Sequence, residues 1–184
     1  MGRPYIGASL PELEGEKFFW GEVTEYWKSW HFSKTDSQGL IFYNPSDISG
    51  TDYDAAHVKW GGNWRMPTSE EFGELISKCT RKKVERQYTY NGYTYSKKGV
   101  LFTGPNGNSI FLPFTGYYGE GNYELYNGTP VWKWDYWFVN NDKYGYYWTS
   151  TLERLYSAWG YGTDANHMLQ DTEYGFCIRP VMYK

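Results

Sequence analysis

The sequence predicts a single α+β domain spanning residues 1–184, with two helices packed on short antiparallel sheets and long ordered loops between them. Three observations carry that expectation. A capping box opens an amphipathic helix near residue 68, two hairpin signals follow it in series, and the C-terminal third consists of short strand-like runs broken by irregular polar and aromatic positions.

Residues 1–15 mix two prolines and three glycines with one small apolar patch, which gives a loop or a brief edge strand near Tyr5 to Ala8. A strand is expected from Phe18 to Glu22, and Leu40 to Tyr43 forms the only strand expected within an otherwise ordered loop from Trp27 to Gly50. Asp52 to Trp60 places Ala55, Ala56 and Trp60 near one face at helical spacing, and Gly61 and Gly62 end that helix. In the second helix Thr68 is the N-cap, Glu71 completes the capping box, and Pro67 stops helix from forming upstream. Its stripe of Phe72, Leu75, Ile76 and Cys79 is core, and Gly73 inside it costs up to about 1 kcal/mol relative to Ala.

After Arg81 the period becomes that of a strand. Gln87 to Tyr90 and Tyr93 to Ser96 flank Asn91-Gly92, a strong hairpin signal because both turn residues tolerate positive φ. Gly99 to Thr103 and Ser109 to Phe114 flank a longer turn containing Pro105 and Gly107. Tyr117 to Tyr147 is rich in Gly, Asn, Tyr and Trp, and a loop of that length is either functional or hides short strands. The final stretch holds three strand-like runs, WTST, SAWGY and GFCIRPV, separated by side chains in no periodic order. Rigid strands that repeatedly give way to irregular residues suggest a scaffold presenting a surface.

Composition narrows the function classes. The 18 basic and 21 acidic residues leave a formal net charge of −3, which argues against a nucleic-acid partner. No apolar run reaches the roughly 18 residues of a membrane span, and the N-terminus lacks the tripartite pattern of a signal peptide. Aromatic residues make up 22% of the chain. Most of these rings are expected to fill the interior of a loop-rich fold, while those in polar, Gly-rich loops suit an interface, where Tyr and Trp give large contact area at small entropic cost. Cys79 and Cys177 lack metal spacing and are expected to be free and buried.

The blocks FFWGE, WGGNWRMPTSEEFGELISKC, GPNGNSIFLP, YYWTST and GFCIRPV, in this order, resemble the Fibrobacter succinogenes major paralogous domain. The resemblance implies a C-type-lectin-like fold, similar to the formylglycine-generating-enzyme branch through its shared Trp-Arg-hydrophobic-Pro-Thr helix start. Such domains are found on exported or surface-anchored proteins of gut Bacteroidetes and are regarded as binding modules, so the expected location is extracellular or cell-surface, with phage encoding as a variant. The family's first strand pairs with its last. Here it is expected to be short, which raises the question of what covers the edge at Ile178.

A related group, the variable proteins of diversity-generating retroelements, frames mutagenised ligand contacts with the same C-terminal strands. By that similarity residues 152–174 are the candidate ligand-binding segment, and parts of the loop from Tyr117 to Asn141 are expected to complete its aromatic-rich face. The named contacts are Glu153, Arg154, Tyr156, Trp159, Tyr161, Asp164, Asn166, His167, Gln170, Asp171 and Tyr174. Aromatic members would stack or bury amphipathically, and charged members would set specificity. The expected partner is a protein or a glycan, without nucleic acid and without membrane insertion. The alternative is an assembly subunit of a surface fibre, using the same face on a sister subunit.

An enzyme is not expected. Formylglycine-generating chemistry would need cysteines in the C-terminal half, where Cys177 stands alone, and the related iron-dependent synthases need clustered histidines, whereas His31, His57 and His167 are scattered. The calcium-chelating tripeptides of sugar-binding C-type lectins are absent. Asp135, Asn140, Asn141 and Asp142 offer oxygen donors for calcium, but solvated loop side chains account for them equally well, and no cofactor is expected. Glu120 and Glu124 have no positional support as a hydrolytic pair. Arg65 and Arg179, each between apolar neighbours, are expected to be buried guanidinium groups bonded to carbonyls or a carboxylate.

Overall fold

The computed structural model describes residues 8–23, 46–119, 122–126, 129–133, 137–139, 143–154, 157–163, 167–172 and 174–183, with backbone alone at 122–126, 129–133, 137–139, 154, 157–159, 167–168 and 170–171. In chain order its elements are β1 (Lys17–Phe18), α1 (Ala55–Trp60), β2 (Trp64–Arg65), α2 (Ser69–Lys78), β3 (Thr80–Tyr90), β4 (Tyr93–Thr103) and β5 (Ser109–Pro113). They continue with β6 (Tyr117–Gly119), β7 (Asn122–Tyr126), β8 (Thr129–Lys133), β9 (Trp137–Val139), β10 (Tyr146–Arg154), β11 (Ser157–Gly162), β12 (His167–Asp171), β13 (Phe176–Cys177) and β14 (Val181–Met182). The fold mixes helix and strand, with most of its regular structure in small sheets. The strands expected at Tyr5 to Ala8 and at Leu40 to Tyr43 lie outside the described residues, apart from a bridge at Ala8.

Both helices begin where a side chain satisfies the first amides. Thr68 Oγ1 accepts from Glu71 N–H at 3.2 Å and the Glu71 carboxylate accepts from Thr68 N–H at 2.9 Å, the reciprocal bonds of the expected capping box. The first helix starts later than its apolar spacing suggests. Asp54 is its N-cap, so the helix begins at Ala55 and not at Asp52, and Gly61 closes it at φ 67°.

Asp54 does more than cap. Its side chain is fully buried, Oδ1 accepts from Ala56 and His57 N–H at 2.8 and 3.1 Å, and Oδ2 accepts from Gly50 and Met66 N–H, both at 2.8 Å. One carboxylate therefore ties the turn before α1, the start of α1 and the exit from β2, as a buried charge must if it is to offset its desolvation.

The hairpin at Asn91-Gly92 forms with φ 49° and 83°, the positive pair that a two-residue turn between twisted strands requires. The two expected hairpins merge into a three-stranded meander, because β4 runs unbroken from Tyr93 to Thr103 and pairs with β3 along its whole length before β5 joins the lower half. Arg86–Glu12 and Lys97–Glu14 ion pairs tether this meander to the N-terminal loop. The long Tyr117 to Tyr147 segment hides short strands, as β6 pairs with β9 and β7 with β8.

The central sheet has the order β1-β13-β10-β11-β12, and around β13 and the first half of β10 it is buried on both faces. Alternation along β10 sends Tyr147 into one cluster, with Phe72, Phe102, Leu112 and Cys177, and Trp148 into another, with Phe18, Trp20, Met66 and Phe176. The first cluster lies under α2 and the meander; the second incorporates α1. Two indoles fasten the sheet's edge reciprocally. Trp20 Nε1–H donates to the Thr149 carbonyl at 2.8 Å, and Trp148 Nε1–H donates to the Phe18 carbonyl at 2.9 Å.

The strand expected over Phe18 to Glu22 is cut to two residues, because the chain turns after Phe18 and Trp20 N–H bonds the Thr172 carbonyl instead of continuing a ladder. Short as it is, β1 pairs with β13, and Ile178 is 2% exposed, so the edge is covered. GFCIRPV is split as well: β14 leaves the sheet to pair with β2. Among the described residues no helix is long and apolar enough to cross a membrane.

Candidate functional site

The candidate segment begins where β10 loses its regular partner. Tyr146, Tyr147 and Trp148 pair in step with Gly162, Tyr161 and Gly160, but the next pairs are Leu152 with Ala158 and Arg154 with Ser157. Between Trp148 and Arg154 the strand thus carries three more residues than β11 does, and the surplus backbone bonds elsewhere. Ser150 N–H donates to the Pro67 carbonyl at 2.8 Å, Ile48 N–H to the Ser150 carbonyl at 3.0 Å and Leu152 N–H to the Ser46 carbonyl at 2.7 Å. Thr151 Oγ1 accepts from Ser69 N–H at 3.0 Å, which satisfies an amide at the start of α2. The bulge is therefore anchored to both the helix start and the 46–48 segment.

The segment is more regular than its side-chain pattern suggests. β10 extends to Arg154, and β12 occupies residues expected to be loop. The ladder pairs Trp159 with Leu169, Tyr161 with His167, Ala158 with Gln170 and Ser157 with Asp171. At the outer end of the sheet it therefore aligns the backbones of Arg154, Ser157 and Asp171 in one row, with Ala158 and Gln170 in the next. Glu153 is exposed beside that row. His167 lies at the opposite, core end of its strand pairing. Tyr156, Asp164 and Asn166 lie outside the described residues, as do the side chains of Arg154, Trp159, His167, Gln170 and Asp171.

Two named contacts are placed differently from the expectation. Tyr161 is 7% exposed; its ring stacks on Phe72 at 4.8 Å and its hydroxyl donates to the Ser69 carbonyl at 2.9 Å. It supports α2 from beneath, and is withdrawn from the contact set because a ring buried in the core offers a ligand no surface. Tyr174 is half-buried, 5.7 Å from the Tyr117 ring and 6.0 Å from Phe176, and so forms the rim of the aromatic core next to the site.

Arg65 is buried as expected: Nη1 and Nη2 engage both Glu71 oxygens at 2.7 and 2.5 Å, Nη1 also donates to the Met66 carbonyl, and the guanidinium sits 4.4 Å from the Tyr183 ring. These bonds from Arg65 hold the Glu71 carboxyl below the usual carboxylate range against the opposing effect of burial. Arg179 is only half-buried and lines a cleft of about 280 Å³ with Pro67, Phe72, Leu75, Ile110 and Val181.

Both cysteines are free; Cys177 is buried, and Cys79, at the end of α2, is partly exposed instead of buried. His57 Nδ1 lies 3.3 Å from the Trp64 carbonyl. Among the described residues no group of three His, Cys, Asp or Glu side chains is placed to hold a metal ion. The oxygen donors Asp135, Asn140, Asn141 and Asp142, together with His31 and Glu120, lie outside the described residues, and the side chain of Glu124 does too.

One surface escapes the sequence reading. Tyr88, Tyr90, Tyr93 and Tyr95 crowd the tip of the β3–β4 hairpin, where Tyr93 is 69% exposed and the Tyr88 and Tyr95 rings stack at 5.5 Å. The signal is present in the alternation of Tyr on both sides of Asn91-Gly92. Comparison with protein-family models, curated proteins and solved structures finds no match to this chain.

Proposed function

We propose that this protein is a non-enzymatic binding domain of C-type-lectin-like fold, related to the Fibrobacter succinogenes major paralogous domain and acting at the cell surface or outside the cell. It recognises a protein or glycan through the outer end of β10, β11 and β12. The observation that carries this reading is the contrast between the two ends of one sheet. At Tyr147, Trp148, Tyr161 and Phe176 the sheet is locked between two cores, whereas beyond the bulge it reaches exposed Glu153 and the row of Arg154, Ser157 and Asp171. Rigid support beneath a polar and aromatic end is what a preorganised recognition surface requires.

In this reading Glu153, Arg154, Tyr156, Trp159, Asp164, Asn166, Gln170 and Asp171 make the contacts, His167 and Tyr174 border them, and Tyr161 holds the frame. Diversification of residues 152–174 by a retroelement belongs to the same proposal; its genomic sign is a template repeat and a reverse transcriptase gene near the coding sequence, and a genome lacking both removes it. The binding test is a combined glycan and surface-protein array probed with the wild type and with Glu153→Ala/Tyr156→Ala/Trp159→Ala. Loss of every wild-type signal from the triple variant, with Tyr161→Phe retaining them, is the expected result. Signals that survive the triple change place recognition elsewhere.

A further inference from the structure

The β3–β4 hairpin carries a second surface, independent of the one above. Over residues 80–103 it holds six cations, Arg81, Lys82, Lys83, Arg86, Lys97 and Lys98, against the single acid Glu85, in a chain whose overall charge is −3. Arg86 and Lys97 are engaged by Glu12 and Glu14. Arg81, Lys82 and Lys83 are exposed and follow one another on β3, a strand of eleven residues.

No strand among the described residues pairs with the outer edge of β3, whose ladder runs only to β4. Strand alternation sends these cations to both faces, so they form no single cationic face; what they share is the edge. An exposed edge of that length is a template for another strand. Two copies of this chain pairing there in parallel register, or antiparallel about Lys82, would set cations against cations, and like charges directly opposite are destabilising, so the edge is guarded against those pairings with its own kind. An acidic strand meets the reverse condition.

We propose that the outer edge of β3 accepts an extended acidic peptide segment of another protein by strand addition. Main-chain bonds along Thr80–Tyr90 supply affinity, Arg81, Lys82 and Lys83 select for carboxylates, and exposed Tyr90 at the far end offers an apolar contact.

The test titrates the full chain with a fluorescent peptide of alternating glutamate and valine, a lysine–valine counterpart, and a glutamate–valine diastereomer with D-valine at every apolar position. The all-L acidic peptide is expected to bind and to protect the amides of residues 80–90 from exchange, with the diastereomer at least about tenfold weaker and the basic peptide inactive. Arg81→Glu/Lys82→Glu/Lys83→Glu, at exposed positions that leave the core untouched, should reverse the charge preference. Equal binding of the diastereomer would mean that charge alone attracts a polyanion; that outcome, protection outside β3, or no binding each overturns the proposal.

Discussion

Replacing Asp54 tests the claim that one buried carboxylate joins three segments of the chain. In Asp54→Ala four amides lose their acceptor. Those of Ala56 and Met66 lie in fully buried bonds, whereas Gly50 and His57 are nearer to water and can recover a partner. At about 1–3 kcal/mol for each buried donor left unsatisfied, with a smaller contribution from the outer pair, the loss comes to about 3–7 kcal/mol. A domain at the lower end of the usual range of about 5–15 kcal/mol would be left marginal or unfolded. Asp54→Asn separates geometry from charge. Its oxygen can keep Ala56 and His57, but its amide nitrogen then faces the Gly50 and Met66 donors, a loss of about 2–3 kcal/mol. Urea unfolding followed by tryptophan fluorescence measures both. A loss below about 1 kcal/mol for Asp54→Ala, at unchanged m value, would refute the account of Asp54 as a clamp.

Other expectations follow from the same geometry. Because Arg65 depresses the Glu71 carboxyl, that pair adds stability fully present above the unfolded carboxylate value near pH 4.3 and lost as pH falls through the lower folded value; Glu71→Gln should flatten the acid limb of stability measured against pH. Gly73→Ala should stabilise by up to about 1 kcal/mol, since its φ is not positive and the added Cβ meets only Tyr161 Oη at 3.5 Å. Gly160→Ala should destabilise by about 1–3 kcal/mol, because the same atom would come within 2.8 Å of the Phe176 ring; thermal melts compare the two, and equal shifts would contradict the packing described. Burial pushes the Cys177 thiol up to about 11, so at pH 8 a thiol reagent should label Cys79 in the folded protein and reach Cys177 only on unfolding, as peptide mapping would show.

What is legible in the sequence is local. The Thr68–Glu71 capping box and the Asn91-Gly92 turn depend on residues a few positions apart, and both form as their chemistry requires. The features missed depend on distant partners. Nothing around Asp54 announces that Gly50 and Met66 will share its second oxygen, and nothing near Trp148 announces a bond to the Phe18 carbonyl. The β10 bulge is hidden because its surplus backbone is bonded by Ser46, Ile48 and Pro67, far away in sequence. Tyr161 reads as surface because alternation in SAWGY names two faces without saying that α2 covers one of them.

The bulge at Trp148 has a consequence for chain length. The register that holds Tyr146, Tyr147 and Trp148 between the two cores is complete before β10 hands its backbone to residues 46–48. Beyond that hand-over the pairing of Arg154 with Ser157 follows a register shift of its own. Residues inserted or deleted at that corner would lengthen or shorten it without sliding the buried strands past one another. The outer end of this sheet can therefore change in length while the interior keeps a single alignment.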